Sequence, residues 1–274
     1  MPVIMISRGS YSEAKTVAEK LAERLGYVCL SREELISGSA QFDLPEITFR
    51  KPIQDTPSVL DRFQFGREKY LAFIRAALLN RLEEDHVVYH GLAGHAFVLG
   101  IRHMLAALVR TDIEDRIAAE AKDQGLSEEE ARHRLQKGDE ERRKWSRFVT
   151  GIDPDALTGY DVVYNASKIP VGDIVEGLAR IAEQPFLQAT PGSLDAVRNL
   201  SLAAQVKARL VNDFPRAEVV SRDCTVHVSL RSSQDEAALR PRVEGLVSDL
   251  EPIQALKLHV LPPADVFTWR SSIW

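Results

Sequence analysis

The stretch Val3-Ile4-Met5-Ile6-Ser7-Arg8-Gly9-Ser10-Tyr11-Ser12-Glu13-Ala14-Lys15-Thr16 decides the reading of the chain. Val3 to Ile6 is an unbroken apolar run, the pattern of a strand covered on both faces. A helix follows, because Ala14, Val17, Ala18, Leu21, Ala22 and Leu25 recur at three- and four-residue spacing, and Gly26 closes it. Tyr27 to Leu30 is a second short strand. The opening thirty residues therefore read strand, loop, helix, strand.

Set against the phosphate-binding pattern GxxxxGK[ST], the loop Gly9-Ser10-Tyr11-Ser12-Glu13-Ala14-Lys15-Thr16 departs only at Ala14, where the second glycine belongs. Its place, after a buried strand and at the start of a helix, is the context the chemistry requires. Backbone N–H groups at a helix N-terminus face an anion there, and the helix dipole favours it. Lys15 reaches the outer phosphates of a nucleotide in this reading, and the Thr16 hydroxyl is the ligand for Mg2+.

Further along, apolar runs and helical stripes alternate. Strands are expected at Val87–Tyr89, Leu105–Arg110 and Asp161–Tyr164. Helices are expected at Gln64–Leu82, Ala96–Gly100 and Val171–Ile181, with a highly charged helical region over 113–147. Residues 37–66 read as irregular. The alternation predicts an α/β fold with a doubly wound parallel sheet in three layers, spanning a first domain over 1–186. Residues 187–197 read as a linker. A smaller α+β unit follows over 198–274, in the order helix, strand, strand, helix, strand. The tail Val266-Phe267-Thr268-Trp269 to Ile273-Trp274 is apolar enough to dock on the body or on another subunit.

Composition narrows the function. Among 274 residues, 35 Lys+Arg against 40 Asp+Glu give a net charge of −5, which argues against sequence-independent nucleic-acid binding. The two cysteines, Cys29 and Cys224, form no zinc spacing and no disulfide framework, which fits a reducing, cytoplasmic setting. The run Ala96–Val109 is too short and too interrupted to span a bilayer. His90, His95 and His103 lack a carboxylate at ligand spacing and read as hydrogen-bonded histidines rather than a metal centre.

The same residues resemble the cytidylate kinase-like family of nucleoside monophosphate kinases. The family's opening, ISR-x-x-GSGG-x-x-IA-x-x-LA-x-x-LG, is matched by Ile6-Ser7-Arg8, Ser12 and Val17 to Gly26. Ser31-Arg32-Glu33-Glu34-Leu35-Ile36 is similar to its DREL segment, and Val87 to Gly91 to its third strand. Arg110 to Ile117 resembles a further segment, Asp139-x-x-Arg142 its D-x-x-R, and Tyr160 to Asn165 its YDLVIN. The resemblance covers residues 1 to about 183. It implies a P-loop kinase fold, ATP as donor, Mg2+, and CMP or a related nucleoside monophosphate as acceptor. It also implies an arginine-bearing lid drawn from Arg116, Arg132, Arg134, Arg142, Arg143 and Lys144.

On that resemblance Lys15, Arg116 and Arg142 are the catalytic residues. Gly9, Ser10, Tyr11, Ser12, Glu13, Ala14, Lys15, Thr16, Ser31, Arg32, Gly91, Arg132, Asp139 and Arg142 bind nucleotide. Asp139 contacts the base or orients Arg142, and Arg142 meets the acceptor phosphate. Tyr11, Glu13 and Ala14 stand where the family has glycine, and Leu92 where it has arginine. A carboxylate about 4 Å from a phosphate charge costs roughly 4 kcal/mol at an effective dielectric of about 20. These departures leave a second reading open, a non-catalytic nucleotide-sensing protein. Residues 197–263 weakly resemble a BON-type module, which implies a protein partner or homo-oligomer contact through 198–274.

Overall fold

The computed structural model describes residues 2–8, 13–38, 65–91, 94–98 and 100–263. The expected loop residues Gly9 to Ser12, Leu92, most of the irregular 37–66 stretch and the aromatic tail lie outside them.

Five strands, β1 (Val3–Arg8), β2 (Val28–Ser31), β3 (Val87–Gly91), β4 (Met104–Arg110) and β5 (Val162–Asn165), form a parallel sheet in the order β2-β3-β1-β4-β5. Their pairing is level at the carboxyl edge: Ser7 of β1 lies beside Gly91 of β3 and Leu108 of β4, and Arg110 lies beside Asn165. The continuous apolar run of β1 has a simple cause. Val3 and Met5 point into one core and Ile4 and Ile6 into another, so no face is left for polar residues.

On the Ile4 face lie α1 (Glu13–Leu25) and α6 (Val171–Ala182), with Val17, Ala18, Leu21, Ile174 and Leu178 buried against Val88 and Leu105. The Val3 face is covered by α3 (Gly66–Leu82), which follows α2 (Arg32–Gly38), and by the end of α5 (Glu128–Thr150). Trp145 of α5 is 1% exposed within that core.

The charged 113–147 region is two helices. Gly125, left-handed at φ 64°, ends α4 (Ile113–Gln124), and Ser127 with Glu130 forms a reciprocal cap that starts α5. A small core of Ile117, Ala131 and Leu135 joins the pair. The expected short helix at 96–100 is instead a 3-10 turn, Gly94–Phe97, and β3 runs on through His90 and Gly91. Glycine at the end of β3 and at the start of that turn makes room for Tyr89. A Cβ at Gly91 meets the Tyr89 hydroxyl at 2.4 Å, and one at Gly94 meets the Tyr89 ring at 2.2 Å.

Residues 187–197, expected as a linker, are for the most part helix. After the turn Pro185–Leu187, the helix α7 (Pro191–Leu210) begins seven residues before the expected start of the C-terminal unit at 198. Thr190-Pro191-Gly192-Ser193 has turn composition, but Thr190 and Ser193 cap each other reciprocally and Pro191 occupies the first helical position. The helix has two apolar faces. Val197, Ala204 and Ala208 join the Val3 core, where alanines admit α3 closely, while Leu202, Val206 and Leu210 enter a third core.

That third core belongs to the C-terminal unit of β6 (Glu218–Arg222), β7 (Thr225–Arg231), α8 (Glu236–Val247) and β8 (Ala255–Leu261). The sheet order is β6-β7-β8, with β6 antiparallel and β8 parallel to β7. Alternation puts Val226, Val228 and Leu230 inward and His227 and Ser229 on the uncovered face. No described helix is long and apolar enough to cross a membrane.

Candidate functional site

In an open parallel sheet a ligand site is expected beyond the carboxyl ends of the strands. Among the described residues, the expected site residues lie in two groups, one at α1 and one on α2, α4 and α5, with Gly91 at the end of β3.

At α1, Ala14 is buried in the core with Val17 and Ala18, so the methyl group that replaces glycine serves as packing. Glu13 is half-buried in the first turn, where a carboxylate complements the helix dipole. Lys15 is 57% exposed, and its ammonium lies 3.6 Å from Glu19 one turn along the same helix. It is folded along α1 in this arrangement. Thr16 follows it, half-buried.

At the start of α2, Ser31 is occupied in capping: its hydroxyl accepts from the Glu34 N–H at 3.1 Å, and the Glu34 carboxylate accepts from the Ser31 N–H at 2.6 Å. Those bonds from Ser31 hold the Glu34 carboxyl below its ordinary range. Arg32 is 9% exposed. Its guanidinium donates twice to the Tyr70 hydroxyl, at 3.2 and 3.0 Å, and lies 4.7 Å from the centre of the Trp145 ring. Tyr70 and Trp145 meet edge-on at 5.5 Å. Among the described residues no carboxylate forms an ion pair with Arg32. Glu33, the next residue, also acts on this cation. Among the described residues the direct partners of the cation are a phenol and an indole face, a costly setting for a buried charge unless an anion joins it.

The lid arginines divide. Arg116 of α4 grips Asp139 of α5 with both terminal nitrogens, at 3.0 and 2.9 Å, and Arg142, one turn on, donates to the same carboxylate. All three are largely covered, at 12%, 24% and 15% side-chain exposure. Burial holds the Arg142 guanidinium below the usual arginine range, with Asp139 acting the other way. The Arg116 Nε is buried without a partner. The other lid cations have partners of their own: Arg132 pairs with Glu114, Arg143 with Asp155 and Lys144 with Glu140 at the surface, and Arg134 with the buried Glu120. Arg132, expected at the nucleotide, is thus set in an exposed hairpin ion pair, because α4 presents Glu114 directly opposite it.

Gly91 ends β3 level with Ser7. Beside it stands a group the sequence reading did not assign to the site. The Ser7 hydroxyl is 3.4 Å from His95 Nδ1, and the His95 ring is 4.5 Å from that of Tyr160. Burial lowers the His95 pKa, opposed by Asp161, and its Nε2 is buried without a partner. Nothing local in GLAGHAF signals this. Only sheet register and the 3-10 turn bring Ser7 and His95 together. Tyr70 and Trp145 are aromatic positions within helical stretches, and nothing local marks them as the seat of Arg32. Among the described residues no three His, Cys, Asp or Glu side chains group as a metal site.

A five-stranded parallel sheet in this order, with helices on both faces and with Arg32 and Arg116 on the helices that follow β2 and β4, is a doubly wound α/β arrangement. The model of the cytidylate kinase-like family matches residues 3–168, and the chain belongs to that family. A cytidylate kinase from Methanopyrus kandleri is 29% identical over an alignment of 176 residues that covers 61% of this chain and 85% of that protein. The crystal structure of an uncharacterized protein from Eubacterium ventriosum ATCC 27560 has the same fold, with a TM-score of 0.51 at 18% identity, covering 66% of this chain and 98% of the other. The matched segment ends before α7.

Proposed function

We propose that the protein is a nucleoside monophosphate kinase that transfers the outer phosphate of ATP to CMP or dCMP. One observation carries the reading beyond the family. Two covered arginines, Arg116 and Arg142, share the covered Asp139, and a third, Arg32, lies over Trp145 of the helix that carries Asp139 and Arg142. Taken together, these three arginines and one aspartate carry a net charge of +2. A phosphate monoester near neutral pH carries about −1.5 to −2, which neutralises it. Trp145 links the two halves: Arg32 lies over its ring, and Arg142 is three residues earlier on the same helix.

In this reading Arg32 and Arg142 hold the acceptor phosphate. Arg116 and Asp139 fix the Arg142 fork, whose planar geometry suits two phosphate oxygens at once. Gly9 to Thr16 cradle the donor phosphates, with Lys15 leaving Glu19 for the nucleotide. The Thr16 hydroxyl would ligate Mg2+, which would screen the charge between donor and acceptor when bound. Phosphoryl transfer asks little else of the protein than position and charge. We read residues 198–274 as an interaction module, consistent with Val220, 66% exposed on the uncovered sheet face.

The test is ADP release from ATP·Mg2+ with CMP, dCMP, UMP or AMP, run beside a binding titration of each nucleotide. Turnover fastest with CMP or dCMP is the expected result. Binding of ATP with no turnover of any acceptor overturns the kinase reading in favour of a nucleotide sensor.

A further inference from the structure

The first turn of α3 connects the two halves of the molecule. Phe65, which precedes the helix, is left-handed at φ 59°, a conformation that a bulky residue holds only when its surroundings enforce it. The Arg216 guanidinium of the C-terminal unit lies 5.4 Å from the centre of the Phe65 ring. Lys207 of α7 holds the turn that presents Arg216. Its ammonium donates to the carbonyls of Pro215 and Ala217, at 2.7 and 2.6 Å, on either side of it. Glu68 of α3 and Glu218 of β6 are close enough to act on that ammonium, so α3 and the turn share one charge group.

From the same turn of α3, contacts run on to the site. The Phe65 carbonyl accepts the helix's bond from Lys69. Arg67 donates to the Phe148 carbonyl at the end of α5 and lies 5.9 Å from the Phe148 ring. Tyr70 holds Arg32 and meets Trp145. A shift of this turn therefore moves the floor beneath Arg32 and the anchored end of the helix that carries Asp139 and Arg142.

We propose that Arg216 of the C-terminal unit is a positioning residue for the acceptor side of the site, acting through Phe65 on the first turn of α3 and thence on Arg32 and α5. Its consequence for catalysis rests on the kinase reading above; its structural half does not. Arg216 is itself exposed and outside all three cores, so its truncation leaves the fold intact.

The test uses the full chain with Arg216→Ala and Arg216→Lys, read by backbone hydrogen exchange and by steady-state kinetics. In Arg216→Ala, exchange accelerates at 66–70 and also at 144–150. The acceptor KM rises about three- to fivefold, the range of one exposed cation–ring contact, with the ATP KM unchanged. Arg216→Lys, which keeps a cation over the ring, restores most of both. Acceleration confined to 213–218, or KM values for ATP and acceptor rising together, overturns the proposal. If the unsubstituted protein turns over no monophosphate, the kinase reading fails, and exchange at 144–150 alone decides the role of Arg216.

Discussion

Lys15 and His95 show how differently a single side chain can be placed in this molecule. Among the described residues Lys15 makes a surface ion pair with Glu19, and such pairs contribute about 0–1 kcal/mol. Lys15→Ala is therefore expected to leave the unfolding midpoint nearly unchanged while weakening ATP binding and abolishing transfer. A titration that gives the parent affinity for ATP in this variant would refute the phosphate-loop assignment. His95 is the opposite case, sealed between Ser7 and Tyr160 with burial lowering its pKa from 6.5. The unfolded chain takes up a proton below pH 6.5 that the folded chain refuses, so stability falls as pH drops through that value. Each such histidine contributes a slope of up to about 1.4 kcal/mol per pH unit, and His103, also lowered by burial, adds its own. Urea midpoints measured from pH 7.5 to 5.5 should decline less steeply in His95→Gln than in the parent. Equal slopes would show that His95 is charged in the folded state.

At the scale of an element, the start of α7 is the informative case. Thr190 accepts from the Ser193 N–H at 3.2 Å, and the Ser193 hydroxyl accepts from the Thr190 N–H at 2.9 Å. Removing such a cap costs about 1 kcal/mol. Thr190→Ala should lower the melting temperature by about 2–4 °C, the usual effect of that loss in a chain of this size. A flexible linker at 187–197 would show no change at all, so calorimetry separates the two descriptions. The lid hairpin has a parallel construction. Gly125 ends one helix and Ser127–Glu130 begins the next, and this tight joint lets Arg116 reach Asp139, 23 positions along the chain.

The whole molecule is held together by α7 rather than merely connected by it. Because Val197, Ala204 and Ala208 complete the core that contains Tyr70, Leu78 and Trp145, the kinase-like segment is not closed without them. A chain ending at Gln188 is expected to lose cooperative unfolding and to associate through the exposed face of α3. A sharp, reversible denaturation curve for that fragment, monomeric by sedimentation, would contradict this. The same architecture bears on the C-terminal unit. Its third core shares the helix, so deletion or loosening of β6–β8 must be felt at α3.

The amino-acid sequence by itself determined the layers and the order of elements. A strand buried on both faces has to read as an unbroken apolar run, as Val3 to Ile6 does. An α-helix has to bring Asp139 and Arg142, three apart, to one face. These are interactions within about four residues, and local spacing encodes them completely. The boundary between β1 and α1 was legible for the same reason, as were the family motifs. What only the tertiary structure decided lies further apart in the chain. Thr190-Pro191-Gly192-Ser193 has the composition of a turn whether a helix follows or not, and packing of α7 on α3 made it a helix start. Arg132 and Arg142 look alike in a charged helix. One is spent on Glu114 and the other joins Arg116 because α4 folds back on α5. Arg32 is a plain helix-start arginine until α3 and α5 bring Tyr70 and Trp145 against it. Burial, and with it the value of an unneutralised charge, is a property of the packed molecule and has no local signature.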